Sequence, residues 1–240
     1  MARDQVERDF VISHILNALA DQSDKFVFYG GTALSRTFLK GLRLSEDIDL
    51  LSVGRRSEVA DVLHRSILRP ERGFGRVLAN PGLHQVRKDT DACMYVIGDV
   101  KVNIQLISGV DYTPWPFQLT SVSLRYGGDP HVDLTTYTAA AFVGAKTSAW
   151  TDSTRNAPRD LYDLWATASA GMITADAART FRKYGPTNGF PRPWLFPMAP
   201  PKVGEWYDSI GHQWLPKVGP DEAYEVVVEH WNRAVEEAES

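Results

Sequence analysis

Two aspartates two positions apart, Asp47 and Asp49, follow a Gly30-Gly31-Thr32 run, with Asp47 sixteen positions beyond Gly31. On an extended strand, residues i and i+2 point to one side, so the two carboxylates would converge on one spot. Two hard oxygen donors, with room left for water and phosphate oxygens, suit Mg²⁺, with Mn²⁺ as the alternative ion. Glycines let a backbone approach a triphosphate closely. A helix opening just after them would turn free N–H groups and a positive dipole end toward it. Thr32 adds a hydroxyl. A metal held there would neutralise charge on an α-phosphate and activate an attacking hydroxyl. Singly, Gly-Gly is a turn and Asp-x-Asp is an exposed edge or a cap; their joint spacing is the specific signal. The run lacks the Gly-Lys-Ser/Thr of a P-loop and is not a dinucleotide fingerprint.

Positioning these groups needs a strand, a short helix and a second strand. Residues 26–29 (Phe-Val-Phe-Tyr) are a β-favouring run that stops at Gly30-Gly31, residues 32–39 read as a helix ended near Gly41, and residues 47–53 alternate as a strand. An amphipathic helix precedes them over about residues 4–20, and another follows over 58–68, stopped by Pro70. Residues 92–97 and 100–107, joined by Gly98-Asp99, predict a hairpin, and 117–126 a further strand before a Gly127-Gly128-Asp129-Pro130 turn. From about Tyr137 the period turns helical. Six prolines over 185–203 make an irregular crossing, and helices are expected near 203–215 and 221–239. The fold class is therefore α+β over residues 1–135, followed by a mainly helical lobe over 136–240.

Both segments carry a resemblance. Gly30-Gly31-Thr32-Ala33-Leu34 with Leu42-Arg43-Leu44-Ser45-Glu46-Asp47-Ile48-Asp49-Leu50 resembles the first motif of the AbiEii/MenT group of nucleotidyltransferase-like toxins, within the polymerase β-type superfamily. Ala145-Lys146, Arg155 and Arg159-Asp160-Leu161-Tyr162-Asp163-Leu164 are similar to its second. The resemblance covers residues 26–53 and 137–168. It implies a polymerase β-like mixed sheet with flanking helices, and a helical lobe that contributes Lys146, Asp160 and Asp163 to the site. Lys146 would grip the phosphates of an NTP as a mobile point charge. Asp160 and Asp163, three apart on one helix face, would orient Lys146 or polarise the acceptor. Arg36 and Ser45 join Gly30, Gly31 and Thr32 as nucleotide-binding candidates, and Arg43 lies near the same motif. The resemblance further implies transfer to an RNA 3′ end, the tRNA acceptor stem, with growth arrest and a cognate antitoxin. One departure stands out. Many polymerase β-type enzymes carry a third carboxylate on a later strand, and the aligned position here is Asn103. Two other readings stay open: nucleotidylation of a protein or a small molecule such as an antibiotic, and an inactive RNA- or partner-binding module.

Composition bounds these readings. The chain has 240 residues, a single cysteine (Cys93) and no apolar stretch of bilayer length, which points to the cytoplasm and away from membranes. Net charge is −4, yet residues 36–88 hold eleven Lys/Arg against six Asp/Glu, a local basic excess that could meet RNA phosphates. The six histidines lack zinc-ligand spacing, and no Gly-x-Ser-x-Gly elbow occurs. Trp194, Trp206, Tyr207, Trp214, Tyr224 and Trp231 read first as core and second as base-stacking groups.

Overall fold

The alternation around Asp47 and Asp49 decides the fold's organisation. In strand β2 (Asp47–Ser52), Ile48 and Leu50 are fully buried while Asp47 and Asp49 lie on the opposite, partly open face. A computed structural model describes residues 3–69, 76–86, 93–110, 115–155, 157–211 and 215–240. It divides into two compact units, residues 1–137 and 138–240.

The first unit is built on a seven-stranded mixed sheet in the order β3-β4-β5-β2-β1-β7-β6. Strand β1 (Phe26–Tyr29) pairs antiparallel with β2, which pairs parallel with β5 (Val100–Ile107). On the other side β1 pairs parallel with β7 (His131–Tyr137), which pairs antiparallel with the edge strand β6 (Phe117–Ser123). The expected hairpin of β4 (Cys93–Ile97) and β5 turns at Gly98, whose φ of 61° favours glycine. Beyond β4 lies β3 (Val77–Ala79). Helix α1 (Arg3–Leu19) buries Val11, Ile12, Ile15, Leu16 and Leu19, and packs against β5 and against α3 (Arg56–Leu68). Cys93 is buried within the sheet. The strands β3 and β7 were not among the expected elements.

Helix α2 (Gly30–Arg36) begins on the glycines themselves, two residues before the expected start, and ends at Arg36. Arg36 is fully buried. Its guanidinium ion-pairs with Asp9 at 2.7 Å and donates to the Ser13 hydroxyl and to the Ser123 and Asp9 carbonyls. Arg125 adds a second cation on Asp9 at 2.9 Å, and the Tyr126 hydroxyl donates to the other carboxylate oxygen at 2.8 Å. Burial pushes the Arg36 guanidinium down to about 10, which leaves it charged near neutrality. The expectation that Arg36 grips a nucleotide is therefore corrected. Its donors tie α1, α2 and the end of β6 together, and a buried cation stays only where such partners compensate its lost hydration.

The second unit is helical: α4 (Ala139–Thr151), α5 (Pro158–Ser169), α6 (Ala175–Tyr184), α7 (Val203–Ile210) and α8 (Pro220–Glu239). Thr138 and Thr174 cap α4 and α6 by accepting from backbone N–H groups at Ala141 and Ala177. Trp206 and Trp231 are fully buried, Tyr224 donates to the Pro197 carbonyl, and Trp194 and Tyr207 are exposed. The aromatic set thus splits between core and surface, with Trp214 outside the described residues. The proline-rich crossing holds only a 3-10 turn, Pro193–Leu195. His212, Arg72, Arg87 and Lys88 also lie outside the described residues.

Candidate active site

In the first unit the site starts from the β1–α2 junction. Gly30 has φ of 78°, a backbone conformation that disfavours any side chain. A Cβ there would lie 2.0 Å from Asp49 Oδ2, so the Asp49 carboxylate sits directly on the Gly30 backbone. A Cβ on Gly31 would meet the Arg43 guanidinium at 2.7 Å and the Ser45 hydroxyl at 3.3 Å. The two glycines thus open a cradle between Asp49 on one side and Arg43 with Ser45 on the other. Arg43 is buried, and its place against Gly31 gives it more weight than Arg36. Thr32 is buried too, and its hydroxyl donates to the Asp47 backbone carbonyl. That corrects the expectation of a hydroxyl donated to the nucleotide: Thr32 pins α2 to the start of β2.

Register sets the rest of the face. Asp47 lies opposite Asn103 and Asp49 opposite Gln105 across the parallel β2–β5 ladder. The Asn103 amide N–H donates to Asp47 Oδ1 at 3.3 Å. Across the β1–β2 ladder Tyr29 lies opposite Asp49, and its ring packs on Tyr137 with centroids 5.5 Å apart. Burial first, and then the Asp49 charge, push the Tyr137 hydroxyl up to about 12, so it stays protonated near neutrality. Tyr29, Tyr137 and Gln105 were not among the sequence candidates; the alternation of β1 and β5 could have placed Tyr29 and Gln105 on this face, whereas β7, which carries Tyr137, was not an expected strand.

The metal expectation can be tested on this geometry. Among the described residues no group of three or more His, Cys, Asp or Glu side chains is arranged to hold a metal ion. Asp47 and Asp49 remain as a pair on one face, with the Asp49 carboxylate against the Gly30 backbone where any Cβ would collide with it. Two carboxylates with neutral amides opposite fit a hard divalent ion whose other positions are taken by water and phosphate oxygens.

The second unit holds the other expected residues. Lys146 on α4 ion-pairs with Asp160 at 2.9 Å and Asp163 at 2.7 Å, both on α5 and both buried. Arg155 takes the other Asp160 oxygen at 2.8 Å. Two cations therefore balance two carboxylates, the condition under which such a cluster survives burial. The spacing of three brings Asp160 and Asp163 onto one helix face, where they clamp a single ammonium.

Comparisons with known proteins follow this geometry. A family model described as "Nucleotidyl transferase AbiEii toxin, Type IV TA system" matches residues 14–208. Among solved structures the chain is similar to MenT4, a nucleotidyltransferase toxin from Mycobacterium tuberculosis H37Rv, with TM-score 0.68 and 18% identity over 95% of this chain and 82% of that one. It is also similar to an H. pylori protein described as a nucleotidyltransferase, with TM-score 0.59 and 18% identity over 100% and 98% of the two chains. No curated protein sequence matches the chain.

Proposed function

The chain belongs to the AbiEii nucleotidyltransferase toxin family of type IV toxin–antitoxin systems, and on that premise we propose that it transfers a nucleoside monophosphate from an NTP to an RNA 3′ hydroxyl. The acceptor is the 3′ end of tRNA, whose extension blocks aminoacylation, translation and growth in the cytoplasm. The family implies a cognate antitoxin, and no described helix is long and apolar enough to cross a membrane.

The observation that carries this reading is the Asp49 carboxylate lying on Gly30, with Asp47 on the same strand face. Gly30 and Gly31 let a triphosphate approach the backbone, and Arg43 and Ser45 border the same opening. Asp47 and Asp49 would hold Mg²⁺, which when bound neutralises charge on the α-phosphate and lowers the cost of deprotonating the attacking hydroxyl. Asn103 holds Asp47 by its amide N–H while adding no charge. Within the second unit, Asp160 and Asp163 hold the Lys146 ammonium, which this reading keeps as its candidate phosphate-binding cation. The acceptor hydroxyl gives up its proton to solvent, its oxygen bonds to the α-phosphorus, the bond from that phosphorus to the α,β-bridging oxygen breaks, and pyrophosphate leaves with the bridging oxygen.

The test is incubation with each α-labelled NTP, total RNA, a protein lysate and an aminoglycoside panel. Label entering small RNA, dependent on divalent metal, is the expected result. Label entering only protein or antibiotic would reassign the acceptor, and no label in any fraction would remove the enzymatic reading.

A further inference from the structure

The second unit carries a surface that the transfer site does not use. Between Asp176 and Glu205 the sequence has no acidic residue, yet it holds Arg179, Arg182, Lys183, Arg192 and Lys202 in a protein of net charge −4. All five are exposed. On α6, Ala177, Ala178 and Phe181 face the core, and Arg179, Arg182 and Lys183, spaced three and four apart, share the outer face. Arg192 is paired with Glu239. Among the described residues Arg179, Arg182, Lys183 and Lys202 form no ion pair.

Aromatic rings interleave with these cations. The Arg182 guanidinium lies over the Phe190 ring at 5.1 Å, joining the last turn of α6 to the crossing that follows. Lys183 lies over Tyr184 at 4.9 Å. Four residues beyond Phe190, Trp194 is 71% exposed. Met198, four residues further on, is fully exposed as well, so this segment presents large apolar groups to solvent close in sequence to Arg182 and Lys183. Cations track a phosphate backbone, and open aromatic faces stack unpaired bases.

We propose that this surface, from Arg179 through Trp194, docks the acceptor RNA, with Arg182 and Lys183 on its phosphates and Trp194 stacked on an unpaired base. The proposal rests on the RNA-acceptor reading above and names where that acceptor is held. Charge complementarity favours RNA over an acidic protein because the exposed tryptophan gains a stacking partner that carboxylates do not offer.

The test measures binding of the full chain to a fluorescent RNA hairpin with a single-stranded 3′ tail across a salt series, with heparin and anionic phosphatidylserine vesicles alongside. Arg182→Gln/Lys183→Gln is expected to weaken RNA binding at least tenfold at low salt and to flatten the salt slope by about two. Trp194→Ala is expected to weaken RNA binding roughly five- to a hundredfold while leaving heparin binding unchanged. Nucleotide binding and the thermal midpoint should stay as in the parent; if the double variant fails to fold, Arg179→Gln and Trp194→Ala carry the test singly. RNA binding unchanged in these variants overturns the proposal even where the parent transfers nucleotides to RNA. So does binding to vesicles or heparin but not to RNA. Binding lost in the variants, with no transfer to RNA by the parent, upholds the surface and sinks the acceptor assignment instead.

Discussion

At Gly30 a backbone conformation and a carboxylate occupy the space any side chain would need. Gly30→Ala should cost roughly 1–3 kcal/mol of strain and displace Asp49. Nucleotide transfer should then fall at least a hundredfold while denaturant melts show a stable fold; activity within threefold of the parent would contradict the cradle. Lys146 behaves differently. Lys146→Ala leaves Asp160 and Asp163 buried with one cation between them, so a loss of roughly 3–5 kcal/mol is expected alongside lost activity. Urea unfolding measures it, and a loss below about 1 kcal/mol would mean the cluster is wetter than its burial implies. Arg36 shows where residue types mislead. Its spacing from the glycines looked like phosphate recognition, but its partners Asp9 and Ser123 lie 27 and 87 positions away in sequence. No local pattern reports them.

At the scale of elements, the β2–β5 ladder determines what kind of metal site this can be. Asn103→Asp would set a third carboxylate beside Asp47. Like charges there repel unless a cation screens them. The variant's thermal midpoint should fall in EDTA and recover with Mg²⁺, and equal midpoints in both would contradict the register as drawn. A pH-dependent element is the packing of α3 on residues 81–86. The Tyr95 hydroxyl bonds His64 Nδ1 at 2.8 Å, and the His84 ring lies 4.0 Å from that of His64. Burial first, and then His84, lower the His64 value below 6.5, with Asp61 opposing. The fold thus prefers neutral His64. Its contribution is whole above the unfolded value near 6.5 and is lost as pH falls below it. Melting across that range should show the decline, and His64→Gln should flatten it. Elements were legible where alternation was clean. Asp47 to Ser52 and the Gly98 hairpin declared themselves, and so did α8 behind Pro220. Strand β3 is three residues long, too short to show a period. In β7, the alternating Val132, Leu134 and Thr136 is diluted by threonines and follows a glycine-rich turn. Helix α6 was hidden because its buried face is mostly alanine, so little hydrophobic contrast marks it.

At the scale of the whole molecule, the two units supply different chemistry. The first offers carboxylates and a glycine cradle; the second offers a clamped lysine and an exposed basic, aromatic surface. Fold class and family were legible through the resemblance that the two motifs carry. The acceptor was not, because recognition of an RNA rests on surface charge spread over exposed side chains. Induced expression should arrest growth, and Asp47→Ala/Asp49→Ala should restore it in colony counts. The central claim is that Asp47 and Asp49, set beside Gly30, perform nucleotide transfer. It is tested most directly by the rate of label transfer from α-labelled NTP into RNA, for the parent and for Asp49→Ala at matched RNA binding. The account predicts metal-dependent transfer in the parent and a loss of at least a hundredfold in the variant; equal rates in the two would contradict it.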